Sequence, residues 1–182
     1  MYRVMVVDDE SNILKSLGRS LAEDYEVETF DSPFKALERA NEATFDLVLS
    51  DYRMPEMNGV KFLAAFKQRQ PNAARLILSG YTDREELVGA INEAEIYRFI
   101  SKPWEEYELK STIAQAIAYN GLLMENQALA DQVRAQQKEL ADMDDMMKLT
   151  KQELARLEKE HPGLTKLKLD SHGYYISSIQ EE

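Results

Sequence analysis

Three carboxylates in this sequence follow apolar runs, at points where buried strands would end. Asp8 and Asp9 follow the first run, and Asp51 follows a later one. Carboxylates that are brought close together repel one another unless a cation joins them. Carboxylate and carbonyl oxygens, together with water, suit Mg²⁺, a hard octahedral ion. If these strands lie side by side, the sequence predicts a magnesium site at Asp8, Asp9 and Asp51.

Two further polar side chains end the next two apolar runs. Ser79 supplies a hydroxyl, and Lys102 supplies a positive charge. With the carboxylates they describe a site for one phosphoryl group, with Asp51 as the nucleophile. Mg²⁺ and Lys102 would neutralise charge on the transferring oxygens, and Ser79 would donate a hydrogen bond. Taken singly, an Asp at a strand end usually forms a turn, and a Lys-Pro pair usually lies in a turn. Four strand ends that all carry the chemistry of one site are unlikely to occur together by chance.

Alternating strands and helices must position these side chains. The predicted strands are residues 3–7, 26–30, 45–50, 75–79 and 97–101, and the predicted helices are residues 11–22, 59–70, about 82–93, one from 33 and one from about 105. This alternation predicts a parallel sheet with helices on both faces. In such sheets, functional residues gather beyond the carboxyl ends of the strands.

Four segments resemble the receiver domain of two-component response regulators. They are Val6–Glu10, Leu49–Gly59, Leu78–Tyr81 and Phe99–Trp104. The resemblance covers about 120 of the 182 residues. It implies a flavodoxin-like, doubly wound, five-stranded parallel sheet and a phosphorylation switch.

The resemblance also implies a role for each matching residue. Asp51 would accept a phosphoryl group from a sensor histidine kinase or a phosphotransfer protein. The implied ligands of Mg²⁺ are Asp8, Asp9, Asp51 and the Arg53 backbone carbonyl. The implied switch residues are Ser79 and Phe99. Lys102 would be the lysine that precedes a cis Pro103. Phe99 has no ring hydroxyl, so its ring should prefer a buried position. Arg53 and Tyr81 either shield the acyl phosphate from water or are solvent-facing loop residues.

A long helix follows the receiver-like segment. Residues 105–160 contain no Pro and, as the only Gly, Gly121. The seam positions of a heptad repeat are Asn126, Val133, Leu140, Met147 and Leu154, alternating with Leu122, Leu129, Gln136, Met143, Thr150 and Leu157. This pattern indicates a coiled coil, and Asn126 favours a parallel, two-stranded register. A helix folded back on the receiver and a single solvated helix remain the alternatives.

The predicted organisation is therefore a receiver at residues 1–120, a coiled-coil helix at 121–160 and a β-hairpin at 161–182. The formal net charge of −11 argues against a nucleic-acid partner. The sequence shows neither a signal peptide nor a membrane span, so we expect a cytoplasmic protein.

We expect a stand-alone response regulator that catalyses only its own phosphorylation and dephosphorylation. It would signal as a homodimer through contacts with an unidentified effector protein. A dehalogenase-like phosphohydrolase would need a second carboxylate where Arg53 stands. The segment Phe99–Trp104 is similar to receivers fused to HD-GYP phosphodiesterases, but the tail has no His-Asp metal motif. Any such activity would belong to a partner that this chain regulates.

Overall fold

The computed structural model describes residues 1–55, 57–80 and 94–163. The strands are β1 (Arg3–Val7), β2 (Glu26–Phe30), β3 (Leu47–Asp51), β4 (Ala74–Ser79) and β5 (Arg98–Ser101). The helices are α1 (Ser11–Leu21), α2 (Pro33–Arg39), α3 (Gly59–Arg69) and α4 (Glu106–Glu160). The helix predicted at about 82–93 and the strands of the predicted hairpin lie outside the described residues.

All five strands run parallel, in the order β2-β1-β3-β4-β5. The apolar side chains of the sheet form two clusters, one with α2 and α3 and the other with α1 and the first part of α4. Helices therefore cover both faces, and the predicted doubly wound parallel sheet is confirmed.

Burial on both faces explains why the inner strands are continuous apolar runs rather than alternating ones. Every residue of β3 and β4 is buried, whereas β2 at the edge has a mixed pattern. In β1, Met5 and Val7 pack on the α2–α3 side, and Val4 and Val6 pack on the α1–α4 side.

The limits of β3 differ slightly from the expected run of residues 45–50. The Phe45 amide donates to the side-chain oxygen of Gln70 at 2.8 Å, so it does not pair with a neighbouring strand. At the other end, Asp51 still pairs with Leu78, which places Asp51 inside the strand as its last residue.

The chain divides into two units, Met1–Gln127 and Ala128–Glu182. In the first, α4 buries Leu109, Thr112, Ile113, Ala116 and Ile117. In the second, the described helical residues up to 156 are exposed, among them most of the apolar seam positions. The helix ends at Glu160, before the predicted stop at residues 161–163. The domain limits at residues 120 and 160 stay predictions. No described helix combines the length and apolarity that crossing a membrane requires.

Candidate functional site

The carboxyl ends of β1, β3 and β5 bring Asp8, Asp51 and Lys102 into direct contact. Lys102 Nζ lies 2.7 Å from Asp8 Oδ2 and 2.5 Å from Asp51 Oδ1. The side chain of Asp8 is fully buried, that of Asp51 is 8% exposed and that of Lys102 is 20% exposed. One ammonium group therefore contacts two buried carboxylates and offsets their charge in part, which lowers the cost of burying them.

Asp51 is held at both of its carboxylate oxygens. Oδ1 contacts Lys102, and Oδ2 accepts a hydrogen bond from the Arg53 amide at 2.6 Å. The next residue, Tyr52, donates its amide to the Leu78 carbonyl at 2.9 Å, which ties the chain beyond β3 to β4. The nucleophile expected from the sequence is thus fixed by side-chain and backbone contacts.

Gly59 closes the loop that follows Asp51. Its amide donates to the Tyr52 carbonyl at 2.9 Å, and a Cβ atom added here would collide with the Asp51 carbonyl oxygen. The side chain of Asn58 caps α3 by accepting from the Lys61 amide at 2.9 Å. The Asn58-Gly59 pair ends the receiver-like segment Leu49–Gly59, and no role was predicted for it from the sequence. The structure shows that it seats α3 directly against the backbone of Asp51.

Asp8 is fixed by a backbone contact that the sequence pattern does not predict. The Glu10 amide donates to Asp8 Oδ1 at 2.8 Å, just before α1 begins. Burial raises the pKa of Asp8 above its ordinary value, although Lys102 and the Glu10 amide oppose this. Burial also acts to lower the pKa of Lys102, but the two carboxylates outweigh it and raise that pKa. Lys102 is therefore charged at neutral pH.

Ser79 is the last residue of β4, and Phe99 lies on the neighbouring strand β5. The Ser79 backbone carbonyl accepts from the Lys102 amide at 2.8 Å. Its buried side-chain hydroxyl has no hydrogen-bond partner among the described residues. Buried hydroxyls are nearly always paired, so this one is available to an incoming acceptor. Phe99 pairs with Ile77 in the ladder and is partly buried against the α2–α3 cluster.

The remaining sequence-predicted positions are less enclosed. Arg53 is exposed, and Tyr81 lies outside the described residues. The peptide bond between Lys102 and Pro103 is cis, as the resemblance implied. Asp9 is exposed to solvent, unlike the neighbouring Asp8.

The oxygen donors at the site suit Mg²⁺, but two of the three predicted carboxylates lie together and the third does not. Asp8 and Asp51 share Lys102 and so lie close together, whereas Asp9 remains on the surface. The described residues contain no group of three His, Cys, Asp or Glu side chains arranged for a metal. Protein-bound Mg²⁺ commonly uses one or two carboxylates and keeps several waters. The pair Asp8 and Asp51 meets that requirement, and Asp9 as a ligand stays a prediction.

Residues 4–114, more than half of the chain, match the model of the response regulator receiver domain family. The chain belongs to this family. Among curated proteins, the receiver is 40% identical to the hydrogenase transcriptional regulatory protein HoxA of Cupriavidus necator over 119 residues. That match covers 65% of this chain and 25% of HoxA, so the chain spans about a quarter of the relative's length.

Solved structures resemble the same part of the chain. A protein described as adenylate cyclase from Rhodopirellula baltica is 30% identical, with a TM-score of 0.68, covering 71% of this chain and 97% of that one. The signal receiver domain of an HD domain-containing protein from Pseudomonas fluorescens is 33% identical, with a TM-score of 0.64. That match covers 68% of this chain and 92% of the other. The flavodoxin-like receiver fold expected from the sequence is confirmed.

Proposed function

We propose that this receiver accepts a phosphoryl group on Asp51 from a sensor histidine kinase or a phosphotransfer protein. The observation that carries the proposal is the Lys102 ammonium, 2.5 Å from Asp51 Oδ1 at the end of β3. A cation in contact with the nucleophile is positioned to neutralise the charge that a phosphoryl group adds. The Ser79 hydroxyl, buried and without a partner among the described residues, can donate to one of the new oxygens.

The chemistry is a single displacement at phosphorus. An Asp51 oxygen bonds to the phosphorus of the donor's phosphohistidine while the P–N bond breaks and its electron pair stays on the imidazole nitrogen. Mg²⁺, held by Asp8 and Asp51 with Asp9 and the Arg53 carbonyl as further candidate ligands, would add positive charge beside the phosphoryl oxygens. Lys102 and the Arg53 amide orient Asp51, and Gly59 fixes the backbone that carries it.

Phosphorylation by a small acyl phosphate in the presence of Mg²⁺ tests this assignment. Intact-mass measurement should show one added phosphoryl group on the full chain and none on Asp51→Asn. Asp31→Asn is the matched control, because Asp31 is an exposed aspartate paired only with Lys35 at 2.9 Å among the described residues. Equal labelling of the Asp51→Asn variant would refute Asp51 as the phosphoacceptor.

The same proposal includes a homodimer formed through α4. In the second unit, the seam residues Leu129, Val133, Leu140 and Leu154 are about half exposed or more on a single helix. Such a stripe is unfavourable in water unless another helix covers it. A second copy of the chain supplies the same heptad pattern. Phosphorylation would act on an effector protein through this dimer, in the cytoplasm, without nucleic-acid binding or other catalysis by this chain.

A second candidate is a regulatory subunit for a separate enzyme such as an HD-GYP phosphodiesterase. The observation that favours it is the similar receiver domain from an HD domain-containing protein of Pseudomonas fluorescens. Mixing the phosphorylated chain with such an enzyme should change its turnover, and Asp51→Asn should not. The dehalogenase-like alternative gains no support, because Arg53 contributes a backbone amide to Asp51 rather than a second carboxylate.

A further inference from the structure

Two large apolar side chains of α4 lie outside the heptad seam. Met146 is 69% exposed and Leu149 is 66% exposed. They are three residues apart, so they are neighbours on one face of the helix. Met143 and Met147 occupy seam positions and would be covered in a dimer. Met146 flanks the seam, where a second copy covers it only in part, and Leu149 lies further round, where a second copy leaves it exposed.

Carboxylates surround the pair on the same flank. Asp142 and Asp145 lie four residues before Met146 and Leu149, and Glu153 lies four residues after Leu149. Asp145 has a partner in Lys148 at 3.0 Å, and Glu153 faces Arg156 at 3.9 Å, all exposed. Asp142 has no ion-pair partner among the described residues. The flank is therefore an apolar centre with an incompletely neutralised acidic border.

We propose that the Met146–Leu149 flank is the docking surface for a basic amphipathic helix of the effector protein. Apolar residues at helical spacing on that helix would cover Met146 and Leu149, and its Lys or Arg side chains would meet the acidic border. Methionine suits such a surface because its flexible, polarisable side chain adapts to the partner. A third copy of this chain is disfavoured, because the same carboxylates would then face one another.

This inference rests on the proposed function, because it assumes that the dimer seam covers Met143 and Met147. The test uses the full chain and a fluorescent synthetic peptide of Leu and Lys placed at helical spacing. Fluorescence anisotropy should show saturable binding of one peptide per protomer. Met146→Gln with Leu149→Gln should weaken binding about tenfold or more, since each removes buried apolar area but no charge.

The matched control is Leu123→Gln with Met124→Gln, which removes two exposed apolar side chains elsewhere on α4 and should leave binding unchanged. Unaltered binding by the Met146/Leu149 variant would overturn the proposal, because only long-range attraction to an acidic chain would remain. Equal binding of a peptide with Glu in place of Lys would overturn it as well. Sedimentation of the same samples distinguishes failure of the proposed homodimer from failure of the docking surface. A monomer that binds the peptide would refute the homodimer and support the docking surface. A dimer that does not bind the peptide would support the homodimer and refute the docking surface.

Discussion

Lys102 would compete with the proposed Mg²⁺ for the two carboxylates of the site. Its ammonium contacts Asp8 and Asp51 within hydrogen-bonding distance of both. A divalent cation that approaches these oxygens must share them with an existing positive charge, which weakens metal binding. The same charge favours phosphoryl transfer once phosphoryl oxygens are present. We therefore expect Lys102 to have opposite effects on Mg²⁺ binding and on phosphoryl transfer, and a single substitution separates the two.

We expect Lys102→Met to bind Mg²⁺ severalfold more tightly and to accept a phosphoryl group about 100-fold more slowly. Fluorescence of Trp104, the only Trp in the chain, can follow the metal titration. Lys110→Met is the control, because Lys110 pairs with Asp24 at 3.1 Å and touches neither Asp8 nor Asp51. Weaker or unchanged Mg²⁺ affinity in Lys102→Met would show that the ammonium does not compete with the metal.

Gly59 is a second single residue on which the site depends, and its role is steric. Gly59→Ala should destabilise the receiver by about 1–3 kcal/mol, because the added methyl group must displace the Asp51 carbonyl or α3. Gly18→Ala in α1 is the control: its nearest neighbour, the Thr29 methyl group, would be 3.6 Å away. That change should be neutral or stabilising by up to about 1 kcal/mol. Urea unfolding measures both, and equal stability of the two variants would contradict the proposed packing constraint.

At the scale of the elements, an ion-pair network ties the edge strand β2 to the rest of the fold. Glu28 of β2 contacts Arg3 of β1 at 2.5 Å and Arg39 of α2 at 2.8 Å. Its side chain is 24% exposed, so solvent screens these pairs only in part. The hydrogen bond from Arg39, with the charges of Arg39 and Arg3, lowers the pKa of Glu28 below its ordinary value although burial acts to raise it.

Glu28→Gln should therefore cost about 1 kcal/mol of stability at neutral pH. Because the pKa of Glu28 is lowered in the folded state, its carboxylate stabilises the fold fully at pH values above the ordinary pKa of 4.5. This contribution is lost as the pH falls through the lower pKa of the folded state. Urea unfolding from pH 7 downward should show the difference between wild type and Glu28→Gln shrinking below about pH 4.5. A difference that is independent of pH would contradict the ion-pair explanation.

The elements were predictable from the sequence because burial on both sheet faces demands continuous apolar strands. The limits of the helices and strands were less predictable, because they depend on long-range contacts such as the one between the Gln70 side chain and the Phe45 amide. The strand-end rule likewise placed Asp8, Asp51 and Lys102 at one edge. It did not show that Lys102 contacts both carboxylates, or that Asp8 is buried while Asp9 is exposed. Side-chain orientation and the space beside Gly59 follow from packing, which the pattern alone does not specify.

At the scale of the whole molecule, the apolar stripe on α4 predicts a dimer. Replacing Leu140 and Leu154 by Gln should give monomers at tens of micromolar, because each buried seam Leu contributes on the order of 2 kcal/mol or more. Phosphorylation at Asp51 should continue, since its site lies in the receiver. Replacing Lys138 and Lys159 by Gln, outside the seam, should leave the dimer intact. Sedimentation decides, and a monomeric wild-type chain, both unmodified and with a phosphoryl mimic bound, would contradict the dimer.

Asn126 tests the orientation of the pair. Asn126→Leu should tighten association and loosen the choice of oligomeric state, because a polar seam residue selects a two-stranded, in-register pair at a cost in stability. Crosslinking should join residue 129 to its own copy if the helices run parallel. Crosslinks between residues 129 and 150 would show an antiparallel arrangement and leave the receiver assignment unaffected.

The contact between Lys102 and Asp8 joins residues that are 94 positions apart in the chain. Parallel strands pair only across long connections, so this contact requires the sheet from β1 to β5 to be assembled. A partly synthesised chain that ends before Lys102 lacks the cation and leaves two carboxylates uncompensated. If Asp51 accepts a phosphoryl group as proposed, only chains whose sheet has assembled from β1 to β5 can take it up, so the labelled fraction would report how much of the receiver has folded.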